Sequence, residues 1–390
     1  MRADTHRKLK VLDMPILADD QQVAQRVLNH MAQRTTDLAP AVWREPVDNY
    51  LSTAVLDTEI RQVMRRTPTA FCPSAALSKP GDYVAREAAG TPLLAVRGKD
   101  GVVRAFRNAC RHRGMQVASG IGNAPAFACR YHGWTYALDG QLRQVPDPHG
   151  FPGLDKGCHG LVPVQVQERL GLVFITQDAA LVSDASLDEV QPLLPPEYEL
   201  MATRERIVDA NWKVMLEGFI EGYHIRSTHR ESFYPYGFDN LNLIEPFGRH
   251  CRVTYPFRRI SKLADVPPAE RRVDGLLTYV YHLFPNVLVT MLSRHTNLVV
   301  LEPMGVDRTL EISYTLADVR GADDQARTAA LRDADFVREV GAAEDREVIC
   351  AIQKGLASQA NDHFTFGLFE GAISHFHQTI AAARNAAATT

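Results

Sequence analysis

The chain has 390 residues, 45% of them hydrophobic and 23% charged, with a formal net charge of -3. That length suggests two units sharing or abutting cores, and the composition is globular rather than disordered. So small a charge, with no run of Lys or Arg, gives no attraction for nucleic acid or an anionic membrane. No apolar run reaches the roughly 18 residues that would span a bilayer.

The opening MRADTHRKLKVLDMP is charged and lacks an apolar stretch, so it does not read as a secretory leader. Val23, Val27, Leu28 and Met31 then predict an N-terminal helix ending by Pro40. From about 70 to 176 short strands follow. Pro92–Arg97 and Val102–Phe106 flank Asp100-Gly101, and Trp134–Leu138 and Gln141–Val145 flank Asp139-Gly140; both are hairpin signals. VPVQVQERLGLVFI, at 162–175, adds another strand pair. An acidic connector over 178–200 leads to a helical segment, 211–228. Strands are expected around 248–258, 276–291, 296–304 and 308–318, then a long helix over 323–358. The pattern predicts an α+β chain: a small antiparallel β domain, then a sheet crossed by a long helix.

Of the six cysteines, at 72, 110, 129, 158, 251 and 350, only Cys110 and Cys129 lie beside histidines. The other four read as small core residues, and a reducing cytoplasm is the expected setting. CRHRGMQVASGIGNAPAFACRYHGW contains Cys110-x-His112, sixteen residues, then Cys129-x2-His132. Such a quartet could hold a structural zinc. Each pair, however, falls where a hairpin turns in a domain that already has its own apolar alternation. The other candidate is a [2Fe–2S] centre with two thiolates on one iron and two neutral imidazoles on the other. Replacing anionic ligands with neutral ones raises the potential to roughly -150 to +300 mV, against about -400 mV for an all-Cys plant-type cluster.

CRHRG followed by CRYHGWTY resembles the cluster motif of the Rieske-type ring-hydroxylating oxygenases, terminal α subunit. That likeness implies that Cys110 and Cys129 bind one iron of the cluster, and His112 and His132 the other.

A second constellation lies in NWKVMLEGFIEGYHIRSTH, residues 211–229. Glu217, Glu221 and His224 would share one face of a helix. His229 would point about 140° from His224, so both reach one ion only if the helix loosens between them, at Ile225–Thr228. Carboxylates and imidazoles on a segment this apolar are costly without partners. Two histidines and one carboxylate form the facial triad of non-haem Fe(II) oxygenases. The segment resembles the same family, which implies that His224 and His229 bind a mononuclear iron. The family's third ligand is a downstream Asp. The matching stretch Glu344-Asp345-Arg346-Glu347 makes it Asp345, with Glu344 the nearest rival and Asp335 a weaker one. Glu221 matches the carboxylate that bridges one subunit's iron site to the cluster of its neighbour. Most members have Asp there; Glu resembles a subset that includes oxygenases of quaternary ammonium compounds. Glu217 reads as a supporting or simply buried acid.

Tyr281, Phe284, Val289, Met291 and Asn297 are candidate pocket residues, and His282 and His295 read as structural or substrate-facing. The segment 364–370 with His375 and His377 resembles the family's closing helix, without a catalytic role.

The expected organisation is an N-terminal helix (1–44) packing on the catalytic domain, a Rieske domain (45–177) and a helix-grip, START-like iron domain (178–390). The expected function is a cytoplasmic terminal oxygenase that hydroxylates or demethylates a small aromatic or quaternary ammonium substrate with O2. Its electrons come from a separate ferredoxin or flavin reductase, and its assembly is a head-to-tail homotrimer. The alternatives are a Rieske electron carrier, or a START-like ligand-binding protein with a structural zinc.

Overall fold

The computed structural model describes residues 17–180, 184–188, 190–318 and 324–388. The charged leader lies outside them, as does part of the acidic connector. Asp20–Gln33 is the N-terminal helix, opened by a capping box in which Asp19 accepts from the Gln22 amide and the Gln22 side chain accepts from the Asp19 amide. It buries Val23 and Val27 against Ile260, Leu263 and Leu277.

The strand-rich region is an antiparallel sheet of seven strands with a three-stranded sheet beside it. Both predicted hairpins are present. Thr91–Arg97 pairs with Val103–Arg107 across Asp100-Gly101, and Thr135–Tyr136 with Leu142–Gln144 across Asp139-Gly140. Pro163–Arg169 and Leu172–Thr176 form the further strand pair.

A second antiparallel sheet of seven strands follows, from Tyr198–Val208 to Arg308–Asp318. The single strand expected over 276–291 is two, Leu277–Leu283 and Val287–Met291. Pro285 has no N–H for a ladder, and the Asn286 side chain turns to donate to the Leu301 carbonyl at 2.7 Å. The expected long helix is a run of Asp324–Phe336, a π-type turn Val337–Gly341, and Ala342–Leu356.

The two sheets share one hydrophobic cluster, in which Val84, Leu93 and Phe174 meet Tyr281, Leu298 and Tyr314. Across that seam Arg86 donates to Glu302 at 2.7 Å, and the second Glu302 oxygen accepts from the Ala89 amide at 2.8 Å. Both side chains are buried, so their charges depend on each other. Residues 45–64, expected within the cluster-binding domain, pack with Trp43 on the other side. Trp43–Pro46 pairs with His363–Phe366, and Tyr50, Leu56 and Val63 join Trp212, Leu216 and Phe376. The apolar spacing of this stretch gave no hint of which sheet it would cover.

The helix expected over 211–228 is Trp212–Phe219, a loop, and the short turn Ile225–Thr228. Asn211 caps its start by accepting from the Lys213 amide at 2.9 Å. Its end is satisfied by the Tyr255 hydroxyl, which donates to the Phe219 carbonyl at 3.0 Å. Just beyond, Gly222 runs so close to Asn242 that an added Cβ would sit 2.4 Å from Oδ1.

The helix is fixed from below by charge. Lys213 Nζ lies 2.7 and 2.8 Å from the two Glu59 oxygens, and both residues are almost fully buried. Removing one member of such a pair leaves the other charged and desolvated. Lys213→Met is therefore expected to cost about 3–5 kcal/mol, measured by chemical denaturation of the metal-loaded protein.

Candidate functional site

The cysteine–histidine quartet occupies two loops of matching construction. The Gly114 amide donates to the Cys110 carbonyl at 2.8 Å, and the Gly133 amide to that of Cys129 at 2.9 Å. Cys110 and Cys129 in turn donate their amides to Met115 and Trp134. Gly114 and Gly133 close the loops at φ +79° and +73°, a region that glycine enters without strain. The equivalence is invisible in the spacing alone, because one histidine stands two residues after its cysteine and the other three.

Both thiols are buried, with the Tyr136 hydroxyl 3.3 Å from the Cys110 sulfur. The His112 and His132 rings lie 4.6 Å apart, and His112 stacks on Trp134 at 5.0 Å. The Nδ1 atom of His112 is buried without a hydrogen-bond partner, an orphan that a metal bond would satisfy. Desolvation, reinforced by His132, lowers the His112 pKa and favours the neutral ring a metal needs. The residues present fit a cluster with two sulfur and two nitrogen ligands. His132 is exposed, and its ring stands 3.7 Å from that of Tyr131 at the rim.

The second constellation gathers where helix Trp212–Phe219 meets helix Ala342–Leu356. One ligand atom each from His224, His229 and Asp345 lie within 4.8 Å of one another. Asp345 Oδ1 is 2.8 Å from His229 Nε2 and 3.5 Å from His224 Nε2. Helix Trp212–Phe219 ends before Glu221, and Ile225–Thr228 is itself a helical turn, with His224 at its start and His229 just past its end in a non-helical conformation.

Each imidazole has a carboxylate behind it. Glu221 Oε1 contacts His224 Nδ1, while its Oε2 accepts from the amides of Tyr223 and His224. Glu344 Oε2 lies 2.8 Å from His229 Nδ1 and accepts from the Ser232 hydroxyl at 2.5 Å. With Nδ1–H donated to a carboxylate, each Nε2 is left with a lone pair for a cation. Burial opposes charge on both rings, but the carboxylates outweigh it and raise both pKa values. An ion bound between the Nε2 atoms would relieve that electrostatic demand. Glu344 therefore stands behind His229, on the far side of the ring from Asp345. Asp335 is remote, 3.5 Å from Arg204 on the surface.

A cavity of about 340 Å³ opens against His224 and Asp345. Its apolar wall includes Val214, Ile349, Ile352, Phe364 and Phe366. Glu217, Glu221 and Glu370 also line it, and no Lys or Arg among the described residues does. Tyr281, Phe284 and Val289 are core residues instead, and neither Met291 nor Asn297 lines the cavity. Alternation along a strand distinguishes its two faces without saying which of them meets a cavity. His282 is wholly buried, its Nε2 3.0 Å from the Pro285 carbonyl, and His295 faces Asp333 at 3.2 Å.

Residues 67–161 match the Rieske [2Fe-2S] domain, and residues 183–385 match the ring-hydroxylating alpha subunit catalytic domain. This chain belongs to the ring-hydroxylating α-subunit family. Such a subunit is the terminal oxygenase of a Rieske system, using O2, a Rieske cluster, a mononuclear iron and electrons from another protein. Among its relatives, the carnitine monooxygenase oxygenase subunit of Acinetobacter pittii is 26% identical over 87% of this chain and 94% of its own. The 2-halobenzoate 1,2-dioxygenase large subunit of Burkholderia cepacia is 27% identical over 83% and 81%. In fold, the α subunit superposes on a quaternary ammonium Rieske monooxygenase with TM-score 0.76 at 23% identity, covering 89% of this chain and 96% of that one. Among the described residues no helix is long and apolar enough to cross a membrane.

Glu344 and Asp345 are adjacent in sequence but differ in the atoms they reach, and metal analysis separates them. Asp345→Ala is expected to abolish iron retention at the second site, while Glu344→Gln weakens it about 10–100-fold. Iron per chain under chelator competition measures both.

Proposed function

We propose that this oxygenase acts on a small organic cation of the quaternary ammonium type, hydroxylating or demethylating it in the 340 Å³ cavity. The observation that carries this reading is the cavity wall, where Glu217, Glu221 and Glu370 stand without a Lys or Arg lining residue. An ammonium group placed there gains the electrostatic partners that the apolar surroundings deny, and the Phe364 and Phe366 rings line the same space. A carboxylated aromatic substrate would instead bring like charge into the same space. The carnitine relative and the glycine betaine monooxygenase oxygenase subunit of Chromohalobacter salexigens, 36% identical over 39% of this chain, support the same class.

In this reading Cys110 and Cys129 hold one iron of the cluster, and His112 and His132 the other. His224, His229 and Asp345 hold the mononuclear iron. When bound, the cluster supplies single electrons and the iron a place to activate O2. Glu221 fixes His224 through Nδ1 and links it to the cluster of a neighbouring copy in a head-to-tail homotrimer. A cytoplasmic ferredoxin or flavin reductase is the donor. The cluster domain ends near residue 177, and the packing of 43–64 on the iron domain brings its start close to Thr69.

Turnover with a surrogate reductase tests the substrate class. Trimethylammonium compounds should support oxygen uptake with matching product by mass spectrometry, while their neutral carbon isosteres and benzoates should not. The opposite ranking overturns the reading. Glu221→Ala, reloaded with excess iron to offset its weaker retention, should still lose reductase-coupled turnover, and retained coupling would end its bridging role.

Glu370 adds a pH dependence. Burial, aided by Glu221 and Glu217, pushes its carboxyl up to about 7. The group is neutral below that value and charged above it. KM for a cationic substrate should therefore fall as pH rises through about 7, and Glu370→Gln should remove that trend.

A further inference from the structure

Behind the cavity wall lies a buried cluster of titratable groups that the iron site does not use. Glu217 reaches the cavity, yet only 7% of it is exposed. Its Oε1 accepts from the Tyr50 hydroxyl at 2.7 Å and lies 2.8 Å from His377 Nε2. His377 is wholly buried, stacks on Phe366, and turns Nδ1 to Glu45 at 3.4 Å. Glu45 also accepts from Trp43 Nε1 at 2.9 Å and Asn49 Nδ2 at 2.6 Å. Alongside, Glu59 is held by Lys213 at 2.7 Å and faces Arg384 at 3.4 Å.

Of the three carboxylates, Glu59 faces the two cations Lys213 and Arg384, whereas Glu45 and Glu217 face His377. A proton on His377 makes the cluster neutral. Burial works against that charge, but the carboxylates of Glu217 and Glu45 on either side of the ring outweigh it and the His377 pKa is raised. A structural ion pair needs no contact with the cavity, whereas here one end of the chain of groups forms its wall.

We propose that His377 stores one proton for the oxygenation reaction and that Glu217 presents it to the cavity. The reaction takes up protons with its electrons: R–H + O2 + 2e⁻ + 2H⁺ gives R–OH + H2O. When substrate fills the cavity and excludes water, the proton on His377 Nε2 passes along the hydrogen bond to Glu217 Oε1. Rotation of the Glu217 carboxyl, now a neutral acid, then turns that proton from His377 to the cavity, where it is one of the two consumed. His377 is left neutral, with its Nδ1–H still directed at Glu45. The opened cavity returns a proton by the reverse path. Glu217 is the catalytic group here; His377, Tyr50 and Glu45 are positioning residues.

The proposal rests on the cavity being the reaction site. The test uses the holoenzyme with both metals loaded, comparing wild type with Glu217→Gln and His377→Gln. Infrared titration of ring-labelled histidine should show, in wild type, one imidazolium that persists above the ordinary histidine range; His377→Gln should lack it. Glu217→Gln should lower kcat by about tenfold or more, a loss separate from the rise in KM that follows from removing one cavity carboxylate. The same variant should enlarge the solvent isotope effect and make the rate rise as pH falls. If neither variant moves the pH profile or isotope effect, or if His377 is neutral at the working pH, the store is overturned. Should His377→Gln fail to fold, Glu217→Gln and the wild-type titration decide. Ile349→Trp, which fills the cavity while keeping Glu217 and His377, separates the two readings. Surviving turnover overturns both, whereas blocked turnover with an inert Glu217→Gln overturns only the store.

Discussion

The structure hangs on the buried ion pair between Lys213 and Glu59. Helix Trp212–Phe219 has only eight residues and would be marginal alone. The pair pins its first turn to the 43–64 segment, and Asn211 ties the same end to the carbonyls of Tyr50 and Val306. With that end fixed, the place where the helix stops is fixed too, and the chain beyond can bring two histidines to one point. The Trp-Lys pair of NWK is therefore structural, although it sits among residues of chemical importance.

One device recurs at the iron site: an imidazole with a carboxylate behind its outward nitrogen. Glu221 serves His224 and Glu344 serves His229. The first comes from the same loop, three residues away. The second crosses from helix Ala342–Leu356, more than a hundred residues on. The cysteine–histidine loops use a different solution, in which backbone bonds and an aromatic stack hold the four side chains and leave one edge open to solvent.

Much of this was legible in the sequence because the signals are local. Cys-x-His and Cys-x2-His at hairpin turns, Asp-Gly between alternating runs, and Glu-Gly-Tyr-His after an apolar stretch each lie within a few residues. What escaped was set by distant contacts. The 43–64 segment shows no preference between the two sheets until His363–Phe366 pairs with it. His377 looked like one of two histidines in a closing helix, and only its approach to Glu45 and Glu217 gives it a part. The choice between Glu344 and Asp345 likewise depends on which side of the His229 ring each reaches, and neighbours in sequence do not disclose that. The helix end at Phe219 is dictated by Tyr255 and by the nearness of Gly222 to Asn242, both later in the chain.

The seam between the two sheets has a consequence for how such proteins can be recombined. Its apolar side chains come from both sheets, and Arg86 and Glu302 face each other within it. A transplanted cluster domain without an arginine at the place of Arg86 would leave Glu302 a desolvated carboxylate in the joint. The exchangeable unit is therefore larger than the domain: it comprises the cluster domain together with the strand Thr296–Gly305, which carries its counter-charge.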